Sequence, residues 1–167
     1  MATVAKLWNV KDVVAHLLDT NIRTLSLLRD NQQLAPPSIH SYKDLVDYLN
    51  QLNADWVQAM KRVSPSMLIL LHKITGPLYC SYYESLNPFE KATFNVAWAG
   101  EDESLNWMHI ARDYTEKFLH QQQVRDAVKK PGLMNKDFFY PFIDIFMLAL
   151  PHTFRNTTAP ENTCLQL

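Results

Sequence analysis

The chain has 167 residues, 16 Lys plus Arg against 17 Asp plus Glu, and 47% hydrophobic residues, a length and balance that suit one compact domain with its own core. No basic cluster with interleaved aromatics offers a nucleic-acid surface, and no apolar run reaches membrane-spanning length. The start, MATVAKLWNVKD, lacks the pattern of a signal peptide, so the reading is a cytoplasmic protein with neither nucleic acid nor membrane as partner.

Only three glycines occur, and long apolar runs alternate with brief Pro- or Asn-bearing gaps. That pattern predicts an all-α chain. Asn9 with Asp12 resembles a capping box and opens a first helix to about Asp30, along which Val10, Val14, Leu17, Leu18, Asn21, Leu25 and Leu28 repeat at helical spacing. Pro36 and Pro37 break it. Ser41 caps a second helix to about Val63, whose apolar stripe includes Leu45, Leu49, Leu52, Trp56 and Met60. Ser64 followed by Pro65 starts a third, to about Leu86, with a kink expected at Gly76 and Pro77.

An extended crossover follows, in which Phe94, Val96 and Trp98 alternate before Gly100 and three acids. Ser104 is the expected cap of a fourth helix over about Leu105 to Val128. Asn135 opens a fifth, KDFFYPFIDIFMLALP, apolar enough to be expected largely buried. Residues 158–167 form a tail ending in the strand-like NTCLQL. Cys80 and Cys164 form no paired motif and read as two free thiols.

The fourth helix has two competing faces. Trp107, Ala111, Tyr114 and Phe118 make one stripe, and His109, Asp113, Glu116 and His120 make another on roughly the opposite side. Taken alone, the aromatic stripe packs inward and the polar one faces water. If the fifth helix covers the aromatic stripe, the polar stripe turns toward the other helices instead. Glu116 and His120, one turn apart, then present a carboxylate and an imidazole to one ion, with His16 of the first helix as candidate third ligand. Three protein ligands leave the open position that a catalytic zinc site needs.

Two segments, LWNVKDVVAHLLDTNIRTLSLLRD and NWMHIARDYTEKFLHQQQVRDAV, resemble the metal-binding domain of mycothiol-dependent maleylpyruvate isomerases, within the DinB-like four-helix-bundle superfamily. They carry a W-x-V-x-D-V-x-x-H-L pattern and an E-x-x-x-H-Q-Q pattern. The resemblance implies a divalent metal, zinc before nickel, iron or manganese, on His16, Glu116 and His120. It also implies a low-molecular-weight thiol and an electrophilic substrate for a thiol transferase or isomerase. Asp113 or His109 would orient a ligand or, equally, lie on a solvated polar face, and Arg125 would attract a substrate carboxylate or, in the favoured reading, pair with a nearby acid.

In that superfamily a further helix precedes the first motif, and close relatives continue into a small C-terminal domain. The expectation is therefore a single metal-binding domain over residues 1–167, shortened at both ends and lacking the family's first helix. An apolar groove left by the missing helix favours a homodimer, and a non-catalytic metal-binding or structural bundle that dimerises is the alternative function. The four tryptophans read as core or interface anchors and His72 as a satisfied structural histidine.

Overall fold

A computed structural model describes residues 1–5, 7–32, 35, 37–94, 103–164 and 166. Among these residues the fold is all-α, with no strand beyond two isolated bridges, Ala2 with Asn9 and Lys91 with Leu105. The helices are α1 (Val10–Thr24), α2 (Tyr42–Met60), α3 (Pro65–Glu84), α4 (Asn106–Ala127), α5 (Lys136–Met147) and the short α6 (Leu150–Thr153).

Most starts follow from local chemistry. The Asn9 side chain accepts from the backbone of Lys11 and Asp12, and the Asp12 carboxylate accepts from the Asn9 N–H at 3.1 Å, completing the capping box. Ser41, Ser64 and Asn135 each accept from the N–H three residues on, at Asp44, Met67 and Phe138. The first helix does not run uniformly to Asp30. It ends as α at Thr24, continues as a π-helical turn over Leu25–Arg29, and stops at Asn31, whose φ of 56° is one that asparagine tolerates.

The expected interruption at Gly76 and Pro77 falls inside α3, which continues to Glu84. Ser104 is not the cap of α4. That place belongs to Leu105, which makes no side-chain cap bond, while Ser104 is buried and its carbonyl accepts from Ala92 N–H at 2.9 Å. Val96, Trp98 and Gly100 of the expected crossover lie outside the described residues, as does Pro36. Phe94 is 46% exposed, and residues 158–164 form no strand.

α1 is the central element and touches α2, α3 and α4. Ala15, Leu18 and Leu68 form the buried cluster, with Val14, Ile22, Trp56, Met60, Val63 and Leu71 packed around it. Full burial of a side chain such as Leu18 contributes roughly 1.5–3 kcal/mol. Trp56 adds a hydrogen bond from its indole N–H to Ala15 O at 2.9 Å, which ties α2 to α1.

α5 packs on the outer side of α4. Phe118 of α4 meets Phe142 at 4.8 Å and Phe139 at 6.3 Å between ring centroids. The expectation that α5 is largely buried fails, because none of its residues is buried and Phe138, Tyr140 and Phe146 are exposed. A helix packed mainly on α4 buries one stripe, and α5 has apolar residues on more than one. No described helix is long and apolar enough to cross a membrane.

Candidate metal centre

α4 lies between α5 on one side and α1 on the other, so both of its stripes find cover. His109 and His120 are buried on it, and His16 is buried on α1 at 4% exposure. The solvated-face expectation for these histidines therefore fails. The apolar demand of α5 is met by the aromatic stripe of α4, which leaves the polar stripe to face α1, α3 and the segment ending at Phe94.

The His16 Nε2 atom lies 2.9 Å from Glu116 Oε1, and His120 Nε2 lies 3.1 Å from the same oxygen. One candidate donor atom from each of the three residues falls within 4.8 Å of the others. Tetrahedral donors about 2.0–2.1 Å from zinc stand roughly 3.4 Å apart, so these three groups have the chemistry and spacing to hold a divalent ion.

The ring nitrogens sharpen that test. His120 Nδ1 is 2.8 Å from Gln123 Oε1 while its Nε2 faces a carboxylate oxygen, so both nitrogens address acceptors. A neutral imidazole has only one N–H to donate. Gln123 carries both an amide donor and an acceptor, so its orientation and the His120 tautomer are set together, and with Nδ1–H given to Oε1 the Nε2 lone pair is free for a cation. His16 Nδ1 is buried without a hydrogen-bond partner, so only its Nε2 is engaged.

The electrostatics follow. Hydrogen bonds from His120 and then His16 hold the Glu116 carboxyl well below the usual carboxylate range. At His120, burial alone would depress the imidazole, but the bonds to Glu116 and Gln123 outweigh it and raise the group above its ordinary value. Trp8 covers the pair, its ring 4.9 Å from His16 and 6.2 Å from His120. It is held by a tight N-terminal loop in which Trp8 N–H donates to Ala5 O at 2.7 Å and the Thr3 hydroxyl donates to Trp8 O at 2.6 Å. The Glu116 side chain keeps 40% exposure, which leaves the centre open on one side.

Two expected helpers are elsewhere. Asp113 Oδ2 accepts from the Tyr79 and Tyr83 hydroxyls at 2.5 and 2.6 Å, so it braces α4 against α3 and does not orient a ligand. His109 Nε2 binds Phe94 O at 2.8 Å, and burial lowers its pKa. Among the described residues Arg125 pairs with no acid, and it donates to Pro131 O at 2.9 Å instead. His72 is satisfied by Val14 O at 2.9 Å, as its structural reading requires.

Trp8 and Gln123 are the site residues that residue-by-residue reasoning missed. Gln123 carries a usable signal, being three residues after His120 and hence on the same helical side. No family model, curated protein or solved structure matches this chain.

Proposed function

We propose that His16, Glu116 and His120 hold one divalent metal ion, zinc before nickel, iron or manganese, in a DinB-like helical bundle acting as a thiol-dependent transferase or isomerase. The observation that carries the reading is the convergence of two buried imidazole Nε2 atoms on one carboxylate oxygen. The motif resemblance supplies the thiol chemistry.

Zinc bound there supplies Lewis acidity that favours the thiolate form of a small thiol. The chain's own residues do the rest. Glu116 brings a negative charge that offsets the cation beside two neutral imidazoles. Gln123 fixes the His120 ring through Nδ1, and Trp8 excludes water from one side of both rings. The exposed side of Glu116 is the way in for a thiol and its electrophile.

Elemental mass spectrometry of the purified chain tests this. The expected result is about one equivalent of metal, lost in His16→Ala and Glu116→Ala, after which thiol-transfer substrates are screened. A chain that stays metal-free after reconstitution sinks the proposal and leaves His120 as an imidazolium paired with Glu116.

A further inference from the structure

The two imidazoles of the centre are not held alike. His120 has its second ring nitrogen, Nδ1, 2.8 Å from Gln123 Oε1, the usual device for fixing the plane of an imidazole that offers Nε2 to a partner. His16 has no such bond. It is 4% exposed, and its buried Nδ1 meets no hydrogen-bond partner. The last torsion of a histidine side chain has a broad profile, so a hydrogen bond or packing has to set the ring plane.

At His16 packing takes that part. Its ring lies 4.9 Å from the Trp8 ring at a tilt of 41°, and 4.9 Å from the His120 ring edge-on at 75°. The two neighbours stand 6.2 Å apart, so they approach His16 from different directions and together restrict its rotation.

Trp8 immediately precedes the Asn9 cap of α1. An apolar residue at that place ordinarily staples onto the fourth helical residue, here Val13, and a staple needs only bulk. The loop ahead of α1 fixes more than bulk. Trp8 N–H donates to Ala5 O, the Thr3 hydroxyl donates to Trp8 O, Val10 N–H donates to Met1 O at 3.0 Å, and Ala2 bridges to Asn9. Met1, Ala2, Val4, Leu7 and Asn9 are exposed, so among the described residues of the loop Trp8 is the one large side chain committed to the body of the protein. Backbone bonds thus hold the indole where its only listed ring neighbours are the two candidate ligands.

We propose that Trp8 is a positioning residue for the metal centre: its indole sets the plane of the His16 ring, the task that Gln123 performs for His120 by hydrogen bonding. The inference rests on the metal reading of His16, Glu116 and His120, and it adds a cause of affinity outside the ligands themselves. A metal that meets an imidazole already facing it does not have to immobilise that ring on binding, so loss of the indole weakens binding even where the fold is intact.

Competition of the full chain against a chromophoric zinc chelator tests the proposal. Trp8→Phe keeps a flat ring and should hold zinc within about threefold of the parent. Trp8→Leu keeps only apolar bulk and should weaken zinc about tenfold or more, the range for losing a group that orients a ligand. Cobalt loaded in place of zinc should give the parent's visible spectrum in Trp8→Phe and a changed one in Trp8→Leu, a difference that a mere staple would not produce. Thr3→Val removes the bond to Trp8 O without touching the centre and should weaken zinc in the same direction. Equal zinc affinity in the parent and in folded Trp8→Leu overturns the proposal and leaves the metal reading standing. Equal losses in Trp8→Phe and Trp8→Leu overturn it as well, because a flat ring would then not be what counts. If circular dichroism shows Trp8→Leu unfolded, Thr3→Val decides, and parent-like affinity there overturns the proposal. A parent chain that takes up no zinc overturns the metal reading and this proposal together.

Discussion

His16 and Glu116 are 100 residues apart in the chain, yet Nε2 of one meets Oε1 of the other at 2.9 Å. The contact joins α1 to α4 through a polar pair, and His120 shares the same oxygen. Removing the carboxylate would leave two buried imidazoles facing no acceptor at that point, which gives this cluster the first of its measurable consequences.

Metal should stabilise the folded chain by mass action. At one hundred times its dissociation constant, a metal that binds only the folded state adds about 2.7 kcal/mol. Thermal melts with and without added zinc should therefore separate by several degrees for the parent and coincide for Glu116→Gln. A zinc-dependent rise that persists in Glu116→Gln would place the ion elsewhere.

Without metal, the stability profile should fall on both sides. His120 is raised above its ordinary 6.5, so its contribution is complete below that value and is lost as pH rises through the folded pKa. Glu116 is depressed below its ordinary 4.5, so its contribution is complete above that value and is lost as pH falls through the folded pKa. Urea melts in the presence of chelator should show both flanks, and Glu116→Gln should flatten them. Metal affinity should run the other way across the imidazole range, rising with pH as ligand protons leave. An alkaline flank unchanged in Glu116→Gln would contradict the pairing.

The Tyr79 and Tyr83 hydroxyls share Asp113 Oδ2, and Tyr79 is buried. Tyr79→Phe removes one hydrogen bond to a charged acceptor and should cost about 1.5–3 kcal/mol. In a double-mutant cycle with Asp113→Asn the two losses should be clearly non-additive. Additive denaturation midpoints would mean that the hydroxyl and carboxylate do not interact in solution.

Leu18 has no exposed surface and lies at the centre of the α1 core with Ala15 and Leu68. Leu18→Ala should destabilise the fold by about 2–5 kcal/mol, the range for emptying a tightly surrounded leucine site. The exposed Phe89→Ala is the control and should stay within about 0.5 kcal/mol. Equal effects at the two positions would argue against α1 as the packing centre.

Helix identities and most starts were legible in the sequence because they depend on neighbours in the chain. Asn9 with Asp12, Ser41, Ser64 with Pro65, and Asn135 each satisfy amides within three residues, so their short-range patterns suffice. The start of α4 was misplaced by one residue for the converse reason. Its first turn is set by a bridge between Lys91 and Leu105, and that pairing has no local signature. The burial of α5 was misjudged because composition reports how much apolar surface a helix carries, not how many neighbours it has.

Helical order and the one-turn spacing of Glu116 and His120 follow from the residue pattern alone, because a regular helix converts spacing into direction. Which stripe of α4 faces inward was undetermined, since the aromatic and polar sides are both periodic. Packing between helices settles it: Phe118 packs on Phe139 and Phe142 of α5, which turns the opposite side of α4 inward and brings Glu116 to His16. Apolar area drives that choice through long-range burial, and the charged groups then meet wherever the packing carries them.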